Sequence, residues 1–301
     1  MADRTPLQRR LIRWFLHPPQ AVAAFLLYGL LRILPVDAAS AFGGWLLRRI
    51  GPLTRSDAVA RRNLQRAFPD KDREEINRIV RAVWDNFGRV MGEWPHLNRL
   101  YRSDFGGRVE IEGREHLERA RDAGGPLMVI TGHHGNWELV GAVCASLGLP
   151  LTVIYRPAQN RAVNYLVLWA RRHFTGGLLP KGKEAAVGAL AVLKDGGNLG
   201  VLIDQKLNEG VPAPFFGRDA MTSPVAARLA VGFRCPVIPV RAERTKGAHY
   251  RVTIGPPMAI PDGGDRKKDK EILLLDMNRV LEGWVRETPE QWFWVHKRWP
   301  D

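Results

Sequence analysis

The thirteen residues Pro126-Leu127-Met128-Val129-Ile130-Thr131-Gly132-His133-His134-Gly135-Asn136-Trp137-Glu138 say more about this chain than any other stretch. The first six form a short apolar run with the length of a buried strand. A glycine and a histidine follow, and a carboxylate comes five positions after that histidine. Unperturbed imidazole has a pKa near ~6.5, so a histidine at the mouth of a strand can accept a proton from a hydroxyl at working pH. Positions five apart on an ideal helix lie about 140° apart and do not share a face. The pair can meet only with His133 in the turn before a helix and Glu138 in its first turn. Gly132 and Gly135 suit such a turn, because glycine accepts backbone angles that crowd other residues. The expectation is a catalytic His133 oriented by Glu138, with helix-start N–H groups available to a developing oxyanion. The structural alternative has His133 capping the helix and Glu138 complementing its dipole. His134 is expected to form pocket wall, and Trp137 to pack.

Working outward, elements alternate after Val109 in the manner of an α/β domain. Helices are expected over 116–122, from the motif towards 147, and over 164–173, 184–194, 223–231 and 271–286. Strands are expected over 126–131, 151–155, 198–203, 236–241 and 249–254. Pro224 is tolerable in a first helical turn. This order implies a largely parallel mixed sheet flanked by helices, with functional groups beyond the carboxyl ends of its strands. His133, Arg156 and Asp204 each follow a strand and so should surround one cleft. A guanidinium there suits phosphate or carboxylate recognition; alternatively Arg156 pairs with Asp204 and ties two loops. Asp204 would orient a positive side chain or a sugar hydroxyl. Lys206 and Arg218 are candidates for phosphate contact, and Asn136 and Gln205 complete the expected substrate-binding set. The stretch Gly177-Leu178-Leu179-Pro180-Lys181-Gly182-Lys183 has the glycine and lysine spacing of a nucleotide P-loop. Glu184 stands where a hydroxyl must reach magnesium, so it reads as a turn before a helix with no nucleotide site.

The 301 residues are 45% hydrophobic with 30 glycines and 21 prolines, a globular composition. Cys144 and Cys235 lack metal-ligand spacing, which implies no disulfide framework, no metal and a reducing cytosolic setting. No cofactor is expected. The net charge is +14, and up to Arg62 ten arginines stand against Asp3, Asp37 and Asp57, half of that excess. Basic charge interleaved with apolar residues favours an anionic membrane surface, and would equally draw an acidic protein. No zinc-finger, RNP or helix-turn-helix pattern argues for nucleic acid. Leu7, Leu11, Ile12, Trp14, Phe15 and Leu16 alternate with Arg9, Arg10 and Arg13, and Pro18-Pro19 is expected to end that segment. The apolar run from Ala21 to Leu31 falls short of the ~20 residues that cross a bilayer, so helices lying in or dipping into the interface are expected, a single short span being the alternative. A helix over 70–93, N-capped by Asp70, should pack its apolar stripe into the core. The expected organisation is a membrane-associated helical segment over 1–50 and a catalytic domain over 51–301, with a helical lead-in to about 105.

Several blocks together resemble a known family. Gly132-His133-His134-Gly135-Asn136-Trp137-Glu138 is similar to the His-x4-Asp/Glu signature of the lysophospholipid acyltransferase superfamily, and its ending is closer to the lipid A biosynthesis lauroyl/myristoyl acyltransferases of Gram-negative bacteria. Tyr155-Arg156-Pro157, Ile203-Asp204-Gln205, Pro214-Phe215-Phe216-Gly217, Met221-Thr222-Ser223, Pro236-Val237-Ile238-Pro239-Val240 and the ending Trp294-Val295-His296-Lys297-Arg298-Trp299 follow in that family's order. His134 departs from it, an aromatic apolar residue being commoner there. The resemblance implies a glycerol-phosphate acyltransferase-like fold on the cytoplasmic face of the inner membrane. It implies acyl carrier protein as donor and a lipid A precursor hydroxyl as glycolipid acceptor, with His133 as general base and Glu138 fixing its tautomer. Arg156 would contact a phosphate or sugar. The rival readings are an acyltransferase for another glycolipid or lysophospholipid, such as a phosphatidylinositol mannoside, and a non-catalytic basic membrane-binding module.

Overall fold

A computed structural model describes residues 12–102 and 104–300. The helices before the sheet are α1 (His17–Ile33), α2 (Val36–Ile50), α3 (Arg55–Ala67), α4 (Arg73–Glu93) and α5 (Leu97–Arg102). The α/β part then runs β1 (Val109–Glu112), α6 (Arg114–Ala123), β2 (Leu127–Thr131), α7 (Glu138–Ser146), β3 (Leu151–Tyr155), α8 (Arg161–Arg171), β4 (Thr175–Pro180), α9 (Lys183–Lys194) and β5 (Asn198–Leu202). It closes with the hairpin β6 (Lys206–Phe215) and β7 (Arg218–Thr222), then α10 (Val225–Phe233), β8 (Val237–Lys246), β9 (His249–Ile254) and α11 (Arg266–Glu287).

Seven strands form one sheet in the order β1-β9-β8-β2-β5-β3-β4. Every neighbouring pair is parallel except β8 with β9, so the mixed, largely parallel sheet expected from the alternation is present. The central β2 shows why its sequence is apolar without a break. Met128 and Ile130 enter one core cluster and Leu127 and Val129 the cluster on the opposite face, as the two-residue repeat of a strand requires. Two elements are absent from the sequence expectation. Edge strand β4 reads Thr-Gly-Gly-Leu-Leu-Pro, with two glycines and a terminal proline that only an edge tolerates. The β6–β7 hairpin is rich in glycine, proline and polar residues, and forms its own two-stranded ribbon. Its two-residue turn has positive φ at both Phe216 and Gly217, the form that matches strand twist.

The helix expected from residue 70 is capped by Asp72, not Asp70: Asp72 accepts from the Glu75 N–H while Glu75 accepts from the Asp72 N–H. Helix α2 lies against α4 through Gly43, Gly44, Gly88 and Gly92. A Cβ on Gly88 would stand 2.1 Å from the Gly43 carbonyl oxygen, so the two backbones touch only because no side chain intervenes. Alanine ordinarily gains ~1 kcal/mol over glycine in a helix. Here forced separation outweighs that gain, and Gly88→Ala is expected to cost about 2 kcal/mol, read as a lower urea midpoint.

Pro18 and Pro19 do not end the segment: they fall in the first turn of α1, where no N–H is needed from them, and a π-helical turn, Ile12–Leu16, leads straight into it. The helical stretch from Trp14 to Ile33 is therefore 20 residues long with mean hydropathy 1.2, enough to cross a membrane by length and composition. Trp14, Phe15, Val22, Leu26 and Ile33 are exposed along it. It is tethered where Asn160 donates to the His17 carbonyl at 2.6 Å and His96 Nε2 meets the Leu31 carbonyl at 2.8 Å. Leu7, Arg9, Arg10 and Leu11 lie outside the described residues. Among the described residues up to 50, α2 packs against α4 through its glycines, whereas α1 and the turn before it are largely exposed.

Candidate active site

The site follows from strand register. Thr131 of β2 lies opposite Leu202 of β5, and the Ile203 N–H continues the ladder to the Thr131 carbonyl at 3.0 Å. His133 and Asp204 each stand two residues past that pair and therefore face one another. His133 Nδ1 is 2.8 Å from Asp204 Oδ1, and the His133 N–H donates to Oδ2 at 2.6 Å. An ionised carboxylate only accepts, so Nδ1 is the donor to it, and Nε2 is the ring nitrogen left free of the carboxylate. Beside Nε2 is the exposed Gln205, its amide nitrogen 3.5 Å away at the limit of hydrogen bonding. The His133 side chain keeps 13% of its surface open to solvent, whereas Asp204 is sealed. Burial alone would raise the Asp204 pKa. The charge and hydrogen bonds of His133, with His296 behind it, reverse the shift and hold the carboxyl well below the usual range.

The carboxylate expected to orient His133 is elsewhere. Glu138 opens α7 and forms a two-pronged ion pair with Arg171 of α8, whose Nε donates to Oε2 at 2.9 Å. The physical reason is the five-residue spacing: with His133 held by the sheet, Glu138 turns to the opposite side of the motif. Glu138 thus braces α7 against α8, and Asp204 takes the place beside the imidazole. The same bonds exclude an Arg156–Asp204 pair. Asp204 has a further donor that sequence reasoning missed, Trp292 Nε1 at 2.9 Å from Oδ2, while His296 Nε2 meets the Asp204 carbonyl at 3.1 Å. Their only signal was the aromatic, histidine-bearing ending, which does not say what it touches. Trp292→Phe is expected to lower kcat about tenfold with KM unchanged, since the indole acts on the carboxylate and not on substrate; steady-state kinetics decides it.

Trp137 packs edge-on to the His133 ring at 5.0 Å between centroids, and Phe293 lies 5.8 Å from it, with Phe87 behind. The open side of the imidazole is thus walled by aromatic surface. His134 is not pocket wall. It is buried, bridged to Trp292, with Nε2 2.8 Å from the Thr288 hydroxyl. Burial first, then Arg241, lowers its pKa to about 4, so it stays neutral. Asn136 is also no substrate ligand: it is fully buried and donates to Glu93 at 2.9 Å. Glu93 gathers Ser40, Asn136, Arg244 and Tyr250 into one buried network that anchors the motif. Gly135 completes the turn at φ +55°, where a Cβ would lie 1.9 Å from the Ala242 carbonyl oxygen.

Arg156 is exposed at the end of β3, and Arg218 is exposed at the hairpin turn, away from the register row of His133 and Asp204. Lys206 opens β6, half-buried. Cys144 and Cys235 are buried thiols, pushed by burial to about 12 and about 11, which leaves both inert as nucleophiles. Among the described residues no three His, Cys, Asp or Glu side chains gather as a metal site. The arrangement offers an imidazole with one nitrogen fixed, one free of the carboxylate, and an apolar surface beside it. Those are the requirements of proton abstraction from an alcohol held next to a hydrocarbon chain.

The sequence matches the family described as bacterial lipid A biosynthesis acyltransferase over residues 10–301. The lipid A biosynthesis palmitoleoyltransferase of Escherichia coli (strain K12) is 27% identical over 258 residues, covering 82% of this chain and 79% of that protein. The lipid A biosynthesis lauroyltransferase of the same organism is 24% identical over 258 residues, again covering 82% and 79%. A crystal structure of the 1-acyl-sn-glycerophosphate (LPA) acyltransferase from Thermotoga maritima superposes with a TM-score of 0.42 and 16% identity, over 85% of this chain and 98% of its own. A match that runs through the histidine turn and on to residue 301 places the chain in the bacterial lipid A biosynthesis acyltransferase family, and makes it an O-acyltransferase.

Proposed function

We propose that this acyltransferase moves a fatty acyl chain from acyl carrier protein to a hydroxyl of a lipid A precursor at the cytoplasmic face of the inner membrane, with His133 as general base. The observation that carries the reading is the His133 ring itself, its Nδ1 on Asp204 and its Nε2 bare beside aromatic surface. In this account Nε2 takes the hydroxyl proton as the oxygen attacks the thioester carbonyl. Asp204 holds the tautomer and stabilises the imidazolium, the role of the acid in a serine-protease triad. Collapse of the tetrahedral intermediate forms the ester and breaks the carbon–sulfur bond, and the imidazolium returns its proton to the carrier thiolate. No acyl-enzyme is needed.

The net charge of +14 supports an acidic carrier and an anionic lipid surface. Helix α1, apolar and exposed, supports membrane attachment. The test is a two-way panel: acyl carrier protein against coenzyme A as labelled donor, and a lipid A precursor, a lysophospholipid and a phosphatidylinositol mannoside as acceptors. Transfer from the carrier to the lipid A precursor is expected to exceed every other combination. Equal or faster transfer to either alternative acceptor overturns the assignment.

A further inference from the structure

A tetrahedral intermediate needs a hydrogen-bond donor for its oxyanion, and the histidine turn has none to spare beside the ring. The His133 N–H is held by Asp204 at 2.6 Å, the His134 N–H by the Gly132 carbonyl at 2.7 Å, and the Gly135 N–H by the Gln291 carbonyl at 2.9 Å. The polar side chains that follow turn away, Asn136 to Glu93 and Glu138 to Arg171. Backbone donors at 133–135 are thus spent on holding the turn itself, so the oxyanion has to draw on another part of the cleft.

Gln205 is placed to serve it. Among the described residues, the polar contacts of the His133 ring are Asp204 at Nδ1 and Gln205 at Nε2, where the amide nitrogen stands 3.5 Å away. No other hydrogen bond engages the Gln205 side chain, which is exposed. Its backbone is fixed on both sides. His296 Nε2 meets the Asp204 carbonyl at 3.1 Å just before it, and Lys206 pairs with Thr222 just after it as β6 begins. An acceptor oxygen hydrogen-bonded to Nε2 and joined to the acyl carbon puts the oxyanion about 4 Å from Nε2. The Gln205 amide nitrogen, 3.5 Å from the same atom, reaches that oxygen at an ordinary hydrogen-bond length after a small rotation of its side chain.

We propose that Gln205 is a catalytic residue whose amide N–H stabilises the oxyanion formed when the acceptor oxygen adds to the thioester carbonyl. The inference rests on the proposed function for the reaction itself. As the new carbon–oxygen bond forms, the carbonyl electron pair moves to its oxygen and the hydroxyl proton goes to Nε2. Gln205 donates to that oxygen and keeps its own proton. When the carbonyl re-forms, the carbon–sulfur bond breaks, the thiolate takes the proton from Nε2, and the amide is released unchanged.

The test is steady-state transfer from labelled acyl carrier protein to a lipid A precursor by wild type, Gln205→Met, Gln205→Asn, Gln205→Glu and His133→Ala, with a urea midpoint for each. Methionine keeps the bulk and loses the donor. Its kcat is expected to fall about 100-fold, with both KM values within about twofold of wild type and the midpoint unchanged. Asparagine keeps the N–H on a shorter arm and should fall between. Glutamate, of the same size but negatively charged, should be slowest. Gln205→Met activity within about threefold of wild type, or above it, would overturn the inference, as would a loss carried by the acceptor KM or by a lowered midpoint. His133→Ala separates the two levels. If it is inactive while Gln205→Met is not, the oxyanion role alone is wrong; activity in His133→Ala strikes the proposed function beneath it.

Discussion

Alanine at position 133 is expected to abolish acyl transfer, and asparagine at 204 to reduce it by about four orders of magnitude, with folding intact in both proteins. Asp204 accepts from Nδ1, so it fixes the ring with Nε2 unprotonated. An asparagine can turn its amide nitrogen towards Nδ1, which stabilises the opposite tautomer and puts the proton where the acceptor hydroxyl must deliver its own. The same exchange in a serine-protease triad preserves geometry and costs about 10⁴ in turnover. Circular dichroism and unfolding midpoints establish that each variant folds, and single-turnover transfer from labelled acyl carrier protein reads the chemistry. Retention of a tenth or more of wild-type activity by Asp204→Asn would remove Asp204 from the mechanism. Glu138→Gln gives the contrast, because its partner is Arg171 and its effect should appear first in the unfolding midpoint.

Glu93→Ala is expected to be the most damaging substitution for stability, at about 3–5 kcal/mol, which is a large part of what a folded domain holds. Glu93 is wholly buried and accepts from Ser40 on α2, Asn136 in the histidine turn, Arg244 on β8 and Tyr250 on β9. Removing the carboxylate leaves the Arg244 cation enclosed with Asn86 and the Gly247 carbonyl as its remaining partners, and strands three neutral donors. The Tyr250 phenol is pushed well up, by burial first and then by the Glu93 charge, so it stays a donor and cannot take over the negative role. Urea unfolding measures the loss. Glu93→Gln keeps the shape without the charge and should fall between. An unchanged midpoint for the alanine protein would mean that the network contributes nothing net.

The motif and the sheet were legible in the sequence for a common reason: both are written in short-range pattern. The apolar run 126–131 and the alternation after it are local properties, and they placed His133 and Asp204 each just past a strand, around one cleft. What was not legible is which of two acids meets the ring. Glu138 is five residues away in sequence and Asp204 is 71, yet strand register decides for the distant one. Asn136 looked like a binding residue because it is polar and stands inside the motif, but its amide serves Glu93 from another helix. The aromatic ending flagged the region of Trp292 but not its contact, since an indole carries no sign of its acceptor. The proline pair 18–19 misled for a different reason: proline both starts and stops helices, and only the residues beyond it tell which.

The spacing of His133 and Asp204 is set by a pair of adjoining strands and steadied by Trp292 and His296 beyond the last helix. Loops and flanking helices that do not touch the pair can therefore change length without moving it. A pair fixed by strand register leaves the aromatic side chains around it, Trp137 and Phe293, as the part of the site that can vary without displacing either ring or carboxylate.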